Sequence, residues 1–384
     1  MASLFSDLGH ELVTALTPGF LVALGAPPIA LGLIEGVSGI GQNLANLWSG
    51  VRADETKNRI PYLVIGYAAT ALKALYGLVS FWPWMVLIRT VGWVGRGMRG
   101  PMRDTLISET VPRSAYGKAL GFREGMDTLG GMAGPLLGAW LLSRIGYRNL
   151  FWWSAAPSLL SLLMVLWFVR DNRSQPMHHI GRIATMKPAR IHYPQAFRRL
   201  LAADAVFSIG NVAPSFFILA AATSLAAKLG AIEASMIGIL LYTWYNFVYA
   251  IVAFIAGNAA DRFSARPVLL VGYGALVLAL VGFALLPPTI AAYAVLFTLA
   301  GISTGTQESV QKTYVSLALP TSIRGRGLGL HASVMGWGTL VSGVLVGGLW
   351  SFGGHMMSLA FSFAALAVLV SVVMISSMVP DQSA

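Results

Sequence analysis

Four arginines lie close together in the segment RTVGWVGRGMRGPMRD, residues 89–104, inside a strongly apolar part of the chain. A guanidinium group presents forked N–H donors that match the oxygens of a carboxylate or a phosphate. Residues seven apart nearly superpose on an α-helix, so Arg89, Arg96 and Arg103 form one stripe, with Arg99 about 60° away. The spacing predicts a helix with an anion-binding face, or arginines that pair with carboxylates and hold helices together.

Carboxylates in apolar segments are candidates for proton coupling. A charged side chain at the centre of a bilayer costs at least about 2.5–3.5 kcal/mol, so such residues usually face protein or a water-filled cavity. A carboxylate whose surroundings alternate between apolar and arginine-rich can take up and release a proton. A hydrogen bond between helices is the alternative role for each. The candidates are Asp7, Glu11, Glu35, Asp127 and Glu308.

Composition identifies the elements that must position these side chains. Of the 384 residues, 56% are hydrophobic and 11% are charged, and the mean hydropathy is +0.70, whereas soluble domains are roughly 45–50% apolar and 25% charged. The apolar runs are long and continuous, and the length suits roughly a dozen membrane helices. The absence of cysteine excludes disulfides and thiolate chemistry. We predict spans at 5–25, 28–48, 60–80, 83–106, 118–142, 148–169, 200–224, 234–256, 267–286, 289–312, 327–349 and 356–378.

The placement of basic residues predicts the orientation. Sixteen of the 26 Lys and Arg residues fall in five loops on one side of this arrangement, and three fall on the other side. The positive-inside rule then places both termini and the 170–199 loop in the cytoplasm. This placement accounts for the net charge of +11, so we expect no nucleic-acid partner. The first segment has no basic leader region, and we interpret it as a retained span.

The two halves of the chain repeat. GVRADETKNR at 50–59 matches GNAADRFSAR at 257–266, YLVIGY at 62–67 matches VLLVGY at 268–273, and VPRSAYGKALGF at 111–122 matches LPTSIRGRGLGL at 319–330, with offsets of 207, 206 and 208. We predict two six-helix bundles, 1–170 and 200–384, joined by a cytoplasmic loop, 171–199. Six-span repeats of this kind are the architecture of secondary transporters, with the substrate site between the halves.

These motifs resemble the major facilitator superfamily. In that family, a G-x-x-x-D-R-x-G-R-R motif between spans 2 and 3, and again between spans 8 and 9, acts as a cytoplasmic gate. Glu55 and Lys57 depart from this pattern in the first copy. Arg89, followed by Gly95 and Gly97, resembles the family's R-x-x-Q-G-x-G-x-G segment. The gate positions that match are Gly50, Asp54 and Arg59 in the first copy and Gly257, Asp261, Arg262 and Arg266 in the second.

Span 5 resembles a further motif of the family, G-x8-G-x3-G-P-x2-G, which is typical of antiporting exporters. Small residues four apart let helices approach closely, and a proline favours a bend. The resemblance implies a hinge that meets span 11 of the other half. The hinge residues are Gly121, Gly130, Gly134, Pro135 and Gly138.

The resemblance also implies that spans 1, 4, 7 and 10 line a central cavity. Most of the intramembrane charges of this chain fall on those four spans, which agrees with the predicted fold: an all-α integral membrane protein of twelve transmembrane helices in two pseudo-symmetric bundles. The candidate substrate pathway consists of Arg89, Arg96, Arg99, Arg103, Asp204, Asn211, Gln307 and Lys312.

The sequence therefore predicts a secondary active transporter that works by alternating access and exports an organic anion or oxyanion conjugate in exchange for protons. We expect a monomer in the plasma (inner) membrane, with no cofactor and no metal. An anion uptake carrier or exchanger, and a metal-cation or siderophore exporter, are alternatives on the same fold; a lipid flippase or an intramembrane enzyme is the alternative from another class. The chain has no H-E-x-x-H motif and no G-x-x-x-x-G-K-[ST] motif, so we expect no enzyme activity and energy drawn from a gradient.

Overall fold

The computed structural model describes residues 1–56, 58–112, 115–171, 193–320, 323–352 and 356–378, and within these residues every regular element is helical. Helices match the twelve predicted spans, which confirms the all-α membrane fold. The elements are α1 (Ala2–Ala23), α2 (Pro28–Glu55), α3 (Ile60–Ala71), a 3-10 helix η1 (Leu72–Leu78), α4 (Pro83–Thr110), α5 (Tyr116–Trp153), α6 (Ala155–Phe168), α7 (Gln195–Gly210), α8 (Pro214–Leu229), α9 (Ala231–Phe263), α10 (Ala265–Leu285), α11 (Ile290–Leu317), α12 (Arg324–Phe352) and α13 (Met357–Ser376).

Two spans are not single straight helices, and one helix contains two spans. The third continues from α3 into η1, and the seventh is broken between α7 and α8. Helix α5 runs through a kink at Gly146, whose φ of 72° and ψ of 171° suit glycine and separate span 5 from span 6. Seven helical stretches of the described chain are long enough and apolar enough to cross a membrane, judged by length and composition alone. Helices α1, α2 and α4 are not among them, because polar and charged residues interrupt their apolar sequences.

The chain divides into two compact units. Unit 1 comprises residues Met1–Phe20 and Val37–Ile191, and unit 2 comprises Leu21–Gly36 and His192–Ala384. Helix α2 therefore belongs to both, since its first turns pack with unit 2. Most of the predicted 171–199 loop, residues 172–192, lies outside the described residues.

In unit 1, glycines let α4 lie directly against its neighbours. A Cβ atom on Gly95 would lie 2.8 Å from the carbonyl oxygen of Gly66 on α3, and one on Gly97 would lie 2.4 Å from that of Gln42 on α2. Such short distances exclude any larger side chain without backbone movement. Close packing on this side directs the long side chains of α4 toward α1, where the buried polar groups lie.

In unit 2, α11 packs against α9 and α10, and α13 packs against α7 and α10. Stacked rings fill its centre: Phe217 and Phe283 lie 4.8 Å apart, and Phe361 lies 5.0 Å from Phe283. The first turns of α2 join this unit through glycine contacts with α12. A Cβ atom on Gly32 would lie 1.9 Å from the carbonyl oxygen of Gly343, and the Ile29 amide donates to Ser351 Oγ at 2.9 Å.

Two of the span-5 glycines lie against α1 of their own unit. The nearest atoms to Gly130 and Gly134 belong to α1 of the same unit: added Cβ atoms would lie 2.3 Å from the Leu4 carbonyl oxygen and 2.4 Å from that of Leu8. The spacing of the glycines shows that one face of the helix lacks side chains, but it does not show which helix packs on that face. Gly138, one turn further, meets only side-chain atoms at 3.8 Å, and Gly121 is exposed.

Candidate functional site

The centre of unit 1 contains two arginines on one carboxylate. Asp7 on α1 is 4% exposed. Arg96 Nη2 donates to Asp7 Oδ2 at 3.2 Å, and Arg99 Nη2 donates to Asp7 Oδ1 at 3.2 Å. Asp7, Arg96 and Arg99 are called the α1–α4 cluster below. Two positive charges share one negative charge at this site, so the cluster carries a net positive charge.

The two arginines of this cluster differ in their surroundings. Arg99 is 2% exposed, donates also to Ser6 Oγ, and lies 4.4 Å from the ring centre of Tyr67. Arg96 is 28% exposed. Arg99 is therefore held on every side by protein, whereas Arg96 reaches an accessible surface.

Arg103 lies one turn beyond Arg99 and joins a separate network near the start of α1. It donates to Ser3 Oγ at 2.8 Å and to Asp127 on α5 at 3.5 Å. Arg123 also donates to Asp127, at 3.1 Å. These contacts tie α1, α4 and α5 together, which is the structural alternative considered for the arginine stripe.

Arg89, at the other end of the stripe, is 1% exposed and lies 5.2 Å from the ring centre of Trp93. The Lys73 ammonium group lies 2.6 Å from His10 Nδ1, and both residues are buried. Lys73 sits on η1, and a 3-10 segment within a helical span often marks a hinge or a sequence under strain. Unit 1 thus holds two further buried basic side chains, Arg89 and Lys73.

Two further proton-coupling candidates lie near the start of the chain. Glu11 is 19% exposed and lies 3.9 Å from His10 Nε2. Glu35 is 9% exposed and lies on the part of α2 that belongs to unit 2, beside Gly36, which meets Leu340 of α12. The predicted candidates thus fall in both units rather than in one group.

Unit 2 contains a second buried polar cluster, which involves four helices. Asp204 on α7 is 0% exposed. Tyr273 of α10 donates its hydroxyl to Asp204 Oδ1 at 3.0 Å, and His331 Nε2 of α12 lies 3.0 Å from Asp204 Oδ2. Gln311 of α11 donates to the Tyr273 hydroxyl at 2.9 Å. Asp204, Tyr273, Gln311 and His331 are called the α7–α12 cluster below.

The other pathway candidates of unit 2 have two different environments. Asn211 donates to Gln307 at 3.3 Å, and Gln307 donates to Gln311 at 3.4 Å, so these amides continue the α7–α12 cluster toward the break between α7 and α8. Lys312 and Glu308 are 75% and 54% exposed and lie 3.9 Å apart. This pair lies on an exposed face of α11, away from the buried cluster.

The two copies of the gate motif differ. Arg59 is 0% exposed and donates to both carboxylate oxygens of Glu109, at 2.8 and 3.1 Å, while its backbone amide donates to Asp171 at 2.9 Å. In the second copy, Arg266 donates to a single backbone carbonyl at the end of α13, and Asp261 and Arg262 are exposed. The glycines Gly50 and Gly257 have open space where a Cβ would lie. The side chain of Asp54 lies outside the described residues.

Sequence reasoning left several of these side chains out of the candidate list: His10, Lys73, Tyr67, Tyr273, Gln311 and His331. The repeat offset could have found two of them, because Tyr67 and Tyr273 are 206 residues apart. His10 lies one turn from Asp7 on α1. Among the described residues, no three His, Asp or Glu side chains gather as metal ligands would.

A helical membrane fold with buried charges on α1, α4 and α7 defines a transporter, since charges inside a bilayer mark solute or ion pathways. The sequence profile of the Major Facilitator Superfamily matches residues 1–230 and 205–383. The chain belongs to this superfamily, and it is a transporter rather than an enzyme.

Relatives agree with this assignment. An MFS-type transporter of Methanocaldococcus jannaschii is 28% identical over 366 residues, which are 95% of this chain and 90% of that protein. A protein of Cupriavidus pinatubonensis named "Probable 4-methylmuconolactone transporter" is 24% identical and covers 94% of this chain and 86% of its own length. The multidrug resistance protein MdtG of Dickeya zeae is 26% identical over 45% of this chain and 47% of its own. The crystal structure of the nucleoside transporter NupG shares the fold, with a TM-score of 0.76 at 15% identity over 98% of this chain and 97% of that chain.

Proposed function

We propose that this transporter carries an organic anion or oxyanion and that Arg96 is the side chain that binds it. The observation that supports this proposal is the shared carboxylate of the α1–α4 cluster. Asp7 balances one guanidinium group, but both Arg96 and Arg99 lie 3.2 Å from its oxygens. A docked anion would supply a further negative charge beside the two arginines that share Asp7.

The proposal selects Arg96 because its side chain is less enclosed than those of Arg89 and Arg99 and its Nη1 atom is buried without a hydrogen-bond partner among the described residues. Arg99 and Arg89 are enclosed by protein at 2% and 1% exposure, whereas Arg96 keeps 28% of its side chain accessible. A partly desolvated guanidinium group binds a carboxylate or phosphate more strongly than one in open water, because the effective dielectric constant is lower.

The name of the Cupriavidus relative is compatible with this substrate class, since 4-methylmuconolactone is a carboxylic acid. Export in exchange for protons is supported by the span-5 glycine pattern and by the partial similarity to MdtG. The distribution of Lys and Arg residues supports a plasma (inner) membrane protein with both termini in the cytoplasm. Two six-span halves complete the fold in one chain, which favours a monomer.

The test is a thermal-stability screen of the purified protein. The probes are benzoate, muconate, sulfate, phosphate, divalent metals and lipophilic cations, each on wild type and on Arg96→Gln. A ligand in large excess over its dissociation constant stabilises a protein by a few kcal/mol, or roughly 2.7 kcal/mol at a hundredfold excess. Arg144→Gln is the matched control, because Arg144 is an exposed arginine of unit 1 that stacks on Trp140 at 4.3 Å.

We expect one or more anions to stabilise wild type and Arg144→Gln but not Arg96→Gln. Stabilisation by a metal or a cation that is equal in all three proteins would overturn the proposal and favour the metal-cation alternative. Direction is then measured with the anion so identified in everted membrane vesicles. The lumen of an everted vesicle corresponds to the outside of the cell, so export appears as uptake into the vesicle. Uptake that rises when the lumen is more acidic than the medium supports proton-coupled export. Uptake only into right-side-out vesicles indicates an importer.

A further inference from the structure

Several polar side chains of the two units occupy equivalent positions in the sequence repeat. Tyr67 and Tyr273 are 206 residues apart, and Arg123 and His331 are 208 apart, offsets that also relate the repeated motifs. Each half also has a buried aspartate on its first helix, Asp7 on α1 and Asp204 on α7, although these two are 197 residues apart. The polar residues around the two aspartates are therefore related in part by the repeat.

The charges at these equivalent positions have changed. At an offset of 208, Arg99 and Arg103 correspond to Gln307 and Gln311. Permanent cations surround the aspartate of unit 1, whereas the aspartate of unit 2 meets an imidazole, a phenol and, through the phenol, an amide. An imidazole can gain or lose its charge near neutral pH, which a guanidinium group cannot do.

The surroundings of Asp204 contain few other ionisable groups. Helix α7 packs against α12 and α13, and the Tyr273 hydroxyl reaches it from α10. From α12 the titratable side chain in contact is His331, and from α10 it is Tyr273; the sequence of α13 has no ionisable residue. Glu308 and Lys312 of α11 are exposed and pair with each other. His331 and Tyr273 are thus the ionisable side chains in direct contact with Asp204 among the described residues.

We propose that Asp204 and His331 together hold the proton whose movement drives transport. This inference rests on the proposed function in one respect, that transport is coupled to protons. With one proton shared between Oδ2 and Nε2, the pair is neutral overall, as a carboxylate with an imidazolium or as a carboxylic acid with an imidazole. Without that proton, a bare negative charge remains at a site of 0% exposure, which is strongly unfavourable.

The difference between the neutral protonated pair and the charged deprotonated pair makes proton release depend on access of water. The proton leaves readily only when water reaches the pair, and it is retained while the site is dry. A proton taken from water on one side is returned to water on the other, and only hydrogen bonds change. Tyr273 and Gln311 are positioning residues: Gln311 donates to the Tyr273 oxygen, which aims the phenol hydrogen at Asp204.

The first test needs no substrate. Infrared difference spectra of the reconstituted protein, taken between acidic and neutral buffer, report carboxyl groups whose protonation or hydrogen bonding changes. We expect a carboxyl band that is absent from Asp204→Asn and shifted in Tyr273→Phe, which keeps both members of the pair. Glu233→Gln, which alters an exposed carboxylate in the first turn of α9, retains the band. Superposable spectra of wild type and Asp204→Asn overturn the proposal.

The second test uses the anion identified by the stability screen. In proteoliposomes, Asp204→Asn and His331→Gln reduce accumulation driven by a proton gradient to the level without a gradient, and Glu233→Gln does not. Stabilisation by the anion serves as the check that each variant is folded. Gradient-driven accumulation that survives Asp204→Asn refutes the inference and leaves the anion proposal intact. A positive infrared result with no stabilising anion refutes the anion proposal and leaves the proton site intact.

Discussion

Asp7→Asn, Arg96→Gln and their combination distinguish a binding arginine from a structural one within the α1–α4 cluster. Asp7 is the shared partner of Arg96 and Arg99, each at 3.2 Å. Replacing its carboxylate with an amide leaves two guanidinium groups without their common counter-charge. Removing one partner of a buried ion pair costs about 3–5 kcal/mol.

The single arginine variants are expected to differ strongly. Arg96→Gln leaves Asp7 paired with Arg99, so the buried carboxylate keeps a partner, and the loss of the Arg96 hydrogen bond is expected to cost about 0.5–1.5 kcal/mol. Arg99→Gln removes the contacts with Asp7, Ser6 and the Tyr67 ring at 2% exposure. Hydrogen bonds to charged groups contribute about 1.5–3 kcal/mol, so Arg99→Gln is expected to cost at least that.

The double variant provides the sharpest comparison. Asp7→Asn with Arg96→Gln removes one of the two uncompensated positive charges, so it is expected to be more stable than Asp7→Asn alone. The coupling energy should fall in the range of about 0.5–3 kcal/mol found for residues in contact. The midpoint of thermal unfolding in detergent measures these differences, at roughly 1–2 °C per kcal/mol for a chain of this length.

The same proteins are tested for anion binding. Loss of one charge-assisted contact of about 1.5–3 kcal/mol corresponds to a roughly 10- to 150-fold weaker affinity. We expect Arg96→Gln to fold almost normally and to lose the anion. If Arg96→Gln lowers the melting temperature as much as Arg99→Gln does, Arg96 is a structural residue and the reasoning from its exposure fails.

Three further predictions concern packing and the gate. Gly134→Ala, whose Cβ would lie 2.4 Å from the Leu8 carbonyl oxygen, should destabilise the protein by about 1–3 kcal/mol, while Gly138→Ala, with contacts at 3.8 Å, should be neutral in the same melting assay. Gly32→Ala should lower the melting temperature and slow transport, because its Cβ would lie 1.9 Å from the Gly343 carbonyl oxygen. The control is Gly39→Ala, whose Cβ would lie in open space. Equal effects of the two substitutions would contradict the close contact at Gly32. Glu109→Gln should cost about 1.5–3 kcal/mol, because the buried Arg59 loses a charged bidentate partner while Asp171 stays 3.9 Å away. Arg266→Gln should cost less than about 1 kcal/mol, because Arg266 donates to a single backbone carbonyl. The opposite order of melting temperatures would refute the assignment of the buried gate contact to the first copy.

The sequence was sufficient for the membrane fold, the number of spans and the family. Long apolar runs in a bilayer form helices, because the backbone N–H and C=O groups find no water there and must bond to one another within the segment. The duplication was also readable, since its motifs recur at offsets of 206–208. The placement of charges on α1, α4 and α7 followed from helical periodicity, which is local.

Tertiary structure alone decided how those charges are paired and buried. The distinction between Arg96 and Arg99, three residues apart on one helix, depends on Asp7 of α1 and Tyr67 of α3. The α7–α12 cluster joins residues as far apart as Asp204 and His331, and no local pattern brings them within 3.0 Å. The spacing of the span-5 glycines predicted that another helix packs closely on that face, but only the structure showed that Gly130 and Gly134 contact α1. Periodicity specifies the face on which a side chain lies, whereas its charge balance and its exposure to water depend on the helices that pack against that face.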